Sequence, residues 1–131
     1  MKLMKQERHV FEYAVIRLVP RVEREEFLNI GVVLYCTKHK FLEMRYHVEI
    51  EKWYMMDKQV EVDEVIAHLK SFKEICMGGQ AGGTIGRLDR PDRFRWLTAT
   101  RSTILQTSKV HLGLCEDPEA TLSQLFEQLV L

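Results

Sequence analysis

At 131 residues, with 46% hydrophobic and 29% charged side chains, the chain has the size and balance of one globular domain and not of a disordered segment. Nineteen Lys and Arg offset nineteen Asp and Glu, so no global field draws the chain to nucleic acid or to an acidic membrane, and such a partner must be met by a local patch. Cys36, Cys76 and Cys115 are odd in number and far apart, with no C-x-x-C pair, so neither a disulfide framework nor a zinc knuckle is indicated, and reduced, mostly buried thiols are expected.

Residues 1–8 contain no apolar stretch that could serve as a signal peptide. The longest apolar run, residues 30–36, falls far short of the ~20 residues of a membrane span. A cytoplasmic protein without a membrane partner is expected. Residues 10–19 are nearly continuous in apolar side chains, interrupted by Glu12 and Arg17, as in a strand covered on both faces. Pro20 removes a donor and ends that strand. A charged connection over 21–26 leads to a second strand over 27–36, in which Gly31 marks either a close backbone approach or a bulge. After a turn at 38–40, residues 41–48 alternate: Leu42, Met44, Tyr46 and Val48 take one face, Glu43, Arg45 and His47 the other. That pattern predicts a strand with one wet face.

A helix is predicted between residues 57 and 76, where Val62, Val65, Ile66, Leu69, Phe72 and Cys76 form one stripe at helical spacing. Residues 77–86 hold five of the seven glycines and read as a flexible loop. Beyond it, 92–98 suit a short helix, and 103–114 look extended, as one strand or two short ones. Asp117 caps the last helix, Pro118 takes its first position and Glu119 sits in its first turn. Leu122, Leu125, Phe126, Leu129 and Val130 give that helix its apolar stripe. The expected organisation is a single domain over 1–131: a βββα block at 9–76, the Gly-rich loop at 77–86 and a C-terminal block at 87–131. The fold class is α+β, with an antiparallel or mixed sheet of about four strands and helices packed on one face.

Four groups of residues invite chemistry. The glycines of 77–86 follow a helix and are not closed by Lys-Ser or Lys-Thr, so they are no phosphate-binding loop. Gly78 as a helix C-cap is the better account, with a mobile lid as the alternative. The segment 87–101 sets Arg87, Arg90, Arg93, Arg95 and Arg101 against Asp89 and Asp92, five positive charges against two negative, or +3 locally. Arg93, Arg95 and Arg101, with Trp96 as a stacking wall, are the anion-binding candidates. The alternative is an amphipathic segment with Phe94, Trp96 and Leu97 packed inward and the arginines solvated or ion-paired.

The third group is Arg101, Ser102, Gln106, His111, Cys115 and Asp117. Ser102 and His111 are weak catalytic candidates, as a triad with Asp117 or a dyad of His111 with Cys115. No nucleophile-elbow pattern supports them. No metal site is expected, because His9, His39, His47 and His68 supply no second pair of ligand spacing. The fourth group is Arg17 with Asn29, to which Gly31 and Gln106 are added as pocket candidates. Arg17 is a charge inside a strand that reads as buried, so it must be paired, with Glu12 the available partner, or must face a ligand.

Tyr13 to Pro20, residues 24–32, residues 93–103 and residues 110–118 together resemble the bacterial family catalogued as domain of unknown function 3037. Thr100 stands where that family has Pro. The resemblance covers nearly the whole chain and implies a small bacterial protein with no established activity, substrate or cofactor. It implies further that members are encoded beside kinase-fold proteins similar to HipA toxins, which suggests a kinase-fold protein partner. The family pattern includes Asn29, Gly31, Arg93, Arg95, Trp96, Arg101, Ser102, Gln106 and His111.

The leading expectation is therefore a non-catalytic binding or interaction module, with no cofactor, that regulates or assists a protein partner. One alternative is an enzyme on a phosphate-bearing or nucleic-acid substrate, with Arg101 as clamp and His111 as acid or base. It requires Arg101, Ser102 and His111 to converge in one concavity. A second alternative is direct nucleic-acid binding, which the neutral net charge disfavours. A peptide strand added beside residues 41–48 is a further binding mode if that edge is open.

Overall fold

In the computed structural model, which describes residues 7–131, β1 (His9–Leu18) is the centre of the molecule because both of its edges are paired. Residues 1–6, which carry most of the signal-peptide reading, lie outside the described residues. One edge of β1 takes β2 (Leu28–Cys36), which in turn pairs with β3 (Phe41–Tyr46). The other edge is shared by β4 (Leu105–Thr107) and β5 (His111–Cys115). All four pairings are antiparallel. The α+β class is as the sequence predicts. The sheet has five strands where about four were expected, because the extended stretch 103–114 breaks into two around Ser108. Ser108 repairs the break: its N–H donates to the Val15 carbonyl at 2.8 Å, and its Oγ accepts the Val15 N–H at 2.9 Å.

Along β1, Ala14, Ile16 and Leu18 face one side of the sheet and Phe11, Tyr13 and Val15 the other, the period-2 alternation of a strand. The first side is covered by α1 (Ile50–Met56), α2 (Val62–Met77) and α4 (Arg90–Leu97). Trp53, Val65, Leu69, Phe72, Phe94 and Leu97 pack there against Ala14, Ile16, Val33 and Met44. The second side receives α5 (Pro118–Leu129), whose Leu122 packs with Phe11, Val32, Leu34 and Cys36. The helices thus divide between two faces and do not all share one. The cause lies in β1 and β2: both are apolar on each side, so both sides must be shielded from water. The wet face expected of β3 is partly covered for the same reason. Arg45 donates to Ser123 and to Glu119 of α5, and burial, with Glu119 next to it, pushes the Glu43 carboxyl above its usual pKa.

Local signals act as expected at the helix ends. The Asp117 carboxylate accepts the N–H of Glu119 at 3.0 Å and of Ala120 at 3.4 Å. Gly78, at φ +77°, ends α2 with its N–H on the Glu74 carbonyl at 3.0 Å. The glycine-rich segment is folded rather than free. It forms a 3-10 turn over Gln80–Gly82 and a short helix α3 (Gly83–Gly86), and the Gly79 N–H donates to the Gly86 carbonyl at 2.7 Å. α1 was not anticipated, because seven residues give too short a stripe to show helical period.

Candidate functional site

The β1–β2 register slips once. Ile16 faces Gly31, but Arg17 faces Asn29, so Ile30 is the extra residue of a bulge. Ile30 turns into the core at 2% exposure, and Asn29 comes to the same side of the sheet as Arg17. On the other edge of β1, Arg17 faces Gln106 of β4. Three of the pocket candidates therefore stand in one row across three strands, Asn29–Arg17–Gln106, beside the C-terminal end of α5.

The chemistry of this row is incomplete. The Asn29 amide nitrogen donates to the Leu129 carbonyl at 3.2 Å, the last turn of α5. The Gln106 amide nitrogen donates to the Thr103 carbonyl at 3.0 Å. Arg17 Nε and Asn29 Oδ1 are buried and have no hydrogen-bond partner among the described residues. Nor, among the described residues, does Arg17 pair with a carboxylate: Glu12 belongs to the opposite face, one residue out of phase with Arg17, which removes the Arg17–Glu12 pair as an explanation. What holds the guanidinium is the ring of Phe27, with Cζ 4.0 Å from its centroid, an interaction of about 0.5–1 kcal/mol. Phe27 did not stand out in the sequence. It read as the first residue of the second strand, and its relation to Arg17 depends on strand pairing, which the sequence does not display.

Gly31 does not belong to this row. It is buried on the opposite face, where a Cβ would stand 2.8 Å from the Arg45 carbonyl oxygen and 3.2 Å from Ile16 Cδ1. Both readings of this glycine hold: β3 approaches its backbone closely, and a bulge lies beside it. The role of pocket residue does not.

The arginines of 87–101 separate. Arg93 is 7% exposed and turned inward. Its Nε donates to the Leu88 carbonyl at 3.0 Å, and its Nη1 to those of Ile75 at 2.9 Å and Cys76 at 2.8 Å. It closes the C-terminus of α2, where a cation also meets the negative end of the helix dipole. Arg95 is exposed and lies 3.7 Å from Asp92. Arg101 donates to the carbonyls of Leu97 and Trp96 at the end of α4. Its Cζ stands 4.6 Å from the Trp96 ring centroid and 5.2 Å from that of Phe72. Burial lowers the Arg101 pKa, but a guanidinium stays charged.

Arg93 and Arg101 line different cavities. One of about 440 Å³ lies between β3, α2 and α4, with Lys40, Lys73, Arg90 and Arg93 on its wall. The other, of about 410 Å³, has Phe72, Trp96, Arg101 and Leu105. Trp96 does provide a wall beside Arg101, but no common anion site joins the three arginines.

The catalytic candidates are also apart. Ser102 is exposed in the segment after α4. His111 is in β5, with its ring stacked on Tyr13 at 5.2 Å. Cys115 lies four residues further along the extended strand, about 13 Å away, and Asp117 is occupied as the cap of α5. Neither the dyad nor the triad forms. Burial pushes the Cys115 thiol up to about 11, with Cys36 contributing, and the Cys76 thiol up to about 12, so neither is a thiolate at neutral pH. Among the described residues, no group of three or more His, Cys, Asp or Glu is placed to hold a metal ion. No helix among them is long and apolar enough to cross a membrane.

Residues 13–130 match the family described as Protein of unknown function (DUF3037). No curated protein matches the chain, and no solved structure does.

Proposed function

The chain belongs to the DUF3037 family, and from that premise we propose that it is a non-catalytic binding module whose ligand presents an oxyanion, a carboxylate or a phosphate, to Arg17. The observation that carries this reading is the pair of unsatisfied buried atoms, Arg17 Nε and Asn29 Oδ1, on adjacent strands of one sheet face. Arg is suited to grip an oxyanion because its donors form a planar fork. Phe27 holds the guanidinium plane from one side, which reduces the entropy lost on binding. The orphan acceptor narrows the ligand: Asn29 Oδ1 needs a donor next to the anion. A carboxylate with a neighbouring amide N–H, as at a peptide terminus, supplies both.

The proposed ligand is accordingly part of a protein. The resemblance to a family encoded beside HipA-like kinases makes a cytoplasmic kinase-fold protein the first partner to test. The enzyme reading gains no support from the site: Arg101 and Ser102 follow α4, with Arg101 turned to Trp96 and Leu97, whereas His111 is in β5 and stacks on Tyr13. The zero net charge gives direct nucleic-acid binding no support.

The test is an NMR titration that follows the Arg17 Nε–H signal, with N-acetylglycine in one arm and inorganic phosphate in the other. A saturable shift, absent in the Arg17→Met variant, is expected. N-acetylglycine binding more tightly than phosphate would identify a peptide carboxylate as the source of the anion. If neither probe moves the signal by roughly 50 mM, above the millimolar constants that one small site supports, the proposal fails.

A further inference from the structure

We propose that two copies of this chain associate through the open edge of β5, whose strands pair antiparallel about Gly113 to join the two sheets into one. Independently of the Arg17 row, this rests on three observations. The first is the direction of the backbone. Ser108 N–H donates to Val15 O and Val19 N–H to Ile104 O, so odd-numbered residues of β1 point their polar groups to the β4–β5 side. In the β1–β5 register, His9, Phe11 and Tyr13 meet Cys115, Gly113 and His111. The N–H and C=O of Leu112 and Leu114 therefore point away from β1. Among the described residues they make no turn or loop hydrogen bond, and no further strand lies beyond β5.

The second observation is the surface that accompanies this edge. Leu112 is 71% exposed, Leu114 59% and Val10 57%. Val10 is the cross-strand partner of Leu114, so all three lie on one face. Edge strands of monomers are usually protected by Lys, Pro or a bulge. β5 has none of these between His111 and Cys115. The β3 edge differs. There the Lys73 ammonium donates to the outward Met44 carbonyl at 2.8 Å, which obstructs strand addition along residues 41–48.

The third observation selects a second copy as the occupant. With Gly113 on the two-fold axis, Leu112 of each chain faces Leu114 of the other, and the four outward polar groups of each strand are satisfied. Two-fold pairing within a sheet keeps like faces together, so four leucines and two Val10 side chains form an apolar patch, bordered by Glu12, the cross-strand partner of Leu112. Lys109 and Asp117 flank β5 at its two ends, so antiparallel pairing brings the Lys109 end of each strand to the Asp117 end of the other. Lys109 and Asp117 are exposed, and the cap of α5 uses only Asp117 Oδ1. The edge is thus complementary to itself in hydrogen bonds, in apolar surface and in charge. A contact built on one five-residue strand is small, so the dimer dissociates on dilution.

Sedimentation velocity from roughly 10 µM to 1 mM, the range where such small interfaces dissociate, tests this together with amide hydrogen exchange by NMR. The expected result is a change from one chain mass to two, with protection of the Leu112 and Leu114 amides growing in parallel. Leu112→Lys combined with Leu114→Lys should stay monomeric with an unchanged melting temperature, since both side chains are exposed. Lys109→Glu should weaken the dimer roughly tenfold by reversing two cross-chain pairs. A monomer at every concentration with both amides unprotected overturns the proposal. So does a dimer that survives the double lysine variant.

Discussion

Arg17 of β1 and Asn29 of β2 face one another across an antiparallel pair, and each holds a buried polar atom that no described residue satisfies. A buried group left without a partner costs about 1–3 kcal/mol, and folded proteins contain few of them. Both atoms occur in one cross-strand pair, on the face where Phe27 steadies the guanidinium. On that coincidence the proposed binding row rests.

Replacing Arg17 separates binding from stability. Arg17→Met removes the unpaired donor and the Phe27 contact together, two effects of opposite sign and similar size. The melting temperature should hold or rise by up to about 4 °C, while the N-acetylglycine response disappears. A fall of more than about 5 °C in a thermal melt, over 1 kcal/mol at this chain length, would mean that the guanidinium is a structural element.

Arg93 should behave in the opposite way. Arg93→Ala removes donors to three carbonyls, the buried ones of Ile75 and Cys76 and the part-buried one of Leu88, and opens the end of α2. A loss of about 3–5 kcal/mol in urea denaturation is expected. Arg93→Lys should recover only part of it, because one ammonium cannot span both sides of the clamp. The anion response at Arg17 should be unaffected in the folded Lys variant.

Gly31→Ala tests whether this glycine is structural. The new Cβ would meet the Arg45 carbonyl oxygen at 2.8 Å and Tyr46 Cβ at 3.1 Å, and neither can withdraw without stretching the β2–β3 ladder. Overpacking of this kind costs about 1–3 kcal/mol. Calorimetry should show the loss, while the Arg17 Nε–H signal still responds to N-acetylglycine.

The thiols make stability depend on alkaline pH. Burial raises Cys76 to about 12 and Cys115 to about 11, against 9.0 for an unperturbed thiol. Above pH 9 the unfolded chain releases these protons while the folded chain retains them, so stability falls as pH rises from 9 towards 11. Thermal melts across pH 8–10.5 should show this decline. Iodoacetamide at pH 8 should label neither thiol until urea is added; prompt labelling of the native protein would contradict their burial.

The sequence alone determined the elements whose signals are local. The alternation of 41–48, the apolar stripe of α2, the Asp117-Pro118 start of α5 and Gly78 at the end of α2 each reflect sterics or hydrogen bonding within a few residues. The apolar character of β1 on both sides pointed to a strand covered on each face, although the expected arrangement put all the helices on one. Tertiary structure decided which polar residues meet. Gln106 joins Arg17 across about ninety residues of chain, and Asn29 joins it only because Ile30 bulges out of register. Arg93 and Arg95 look alike in sequence, but they lie two apart on a helix, so the contact that buries one exposes the other. Register and burial are settled by packing energies summed over the whole sheet and its helices, and no short stretch of sequence contains them.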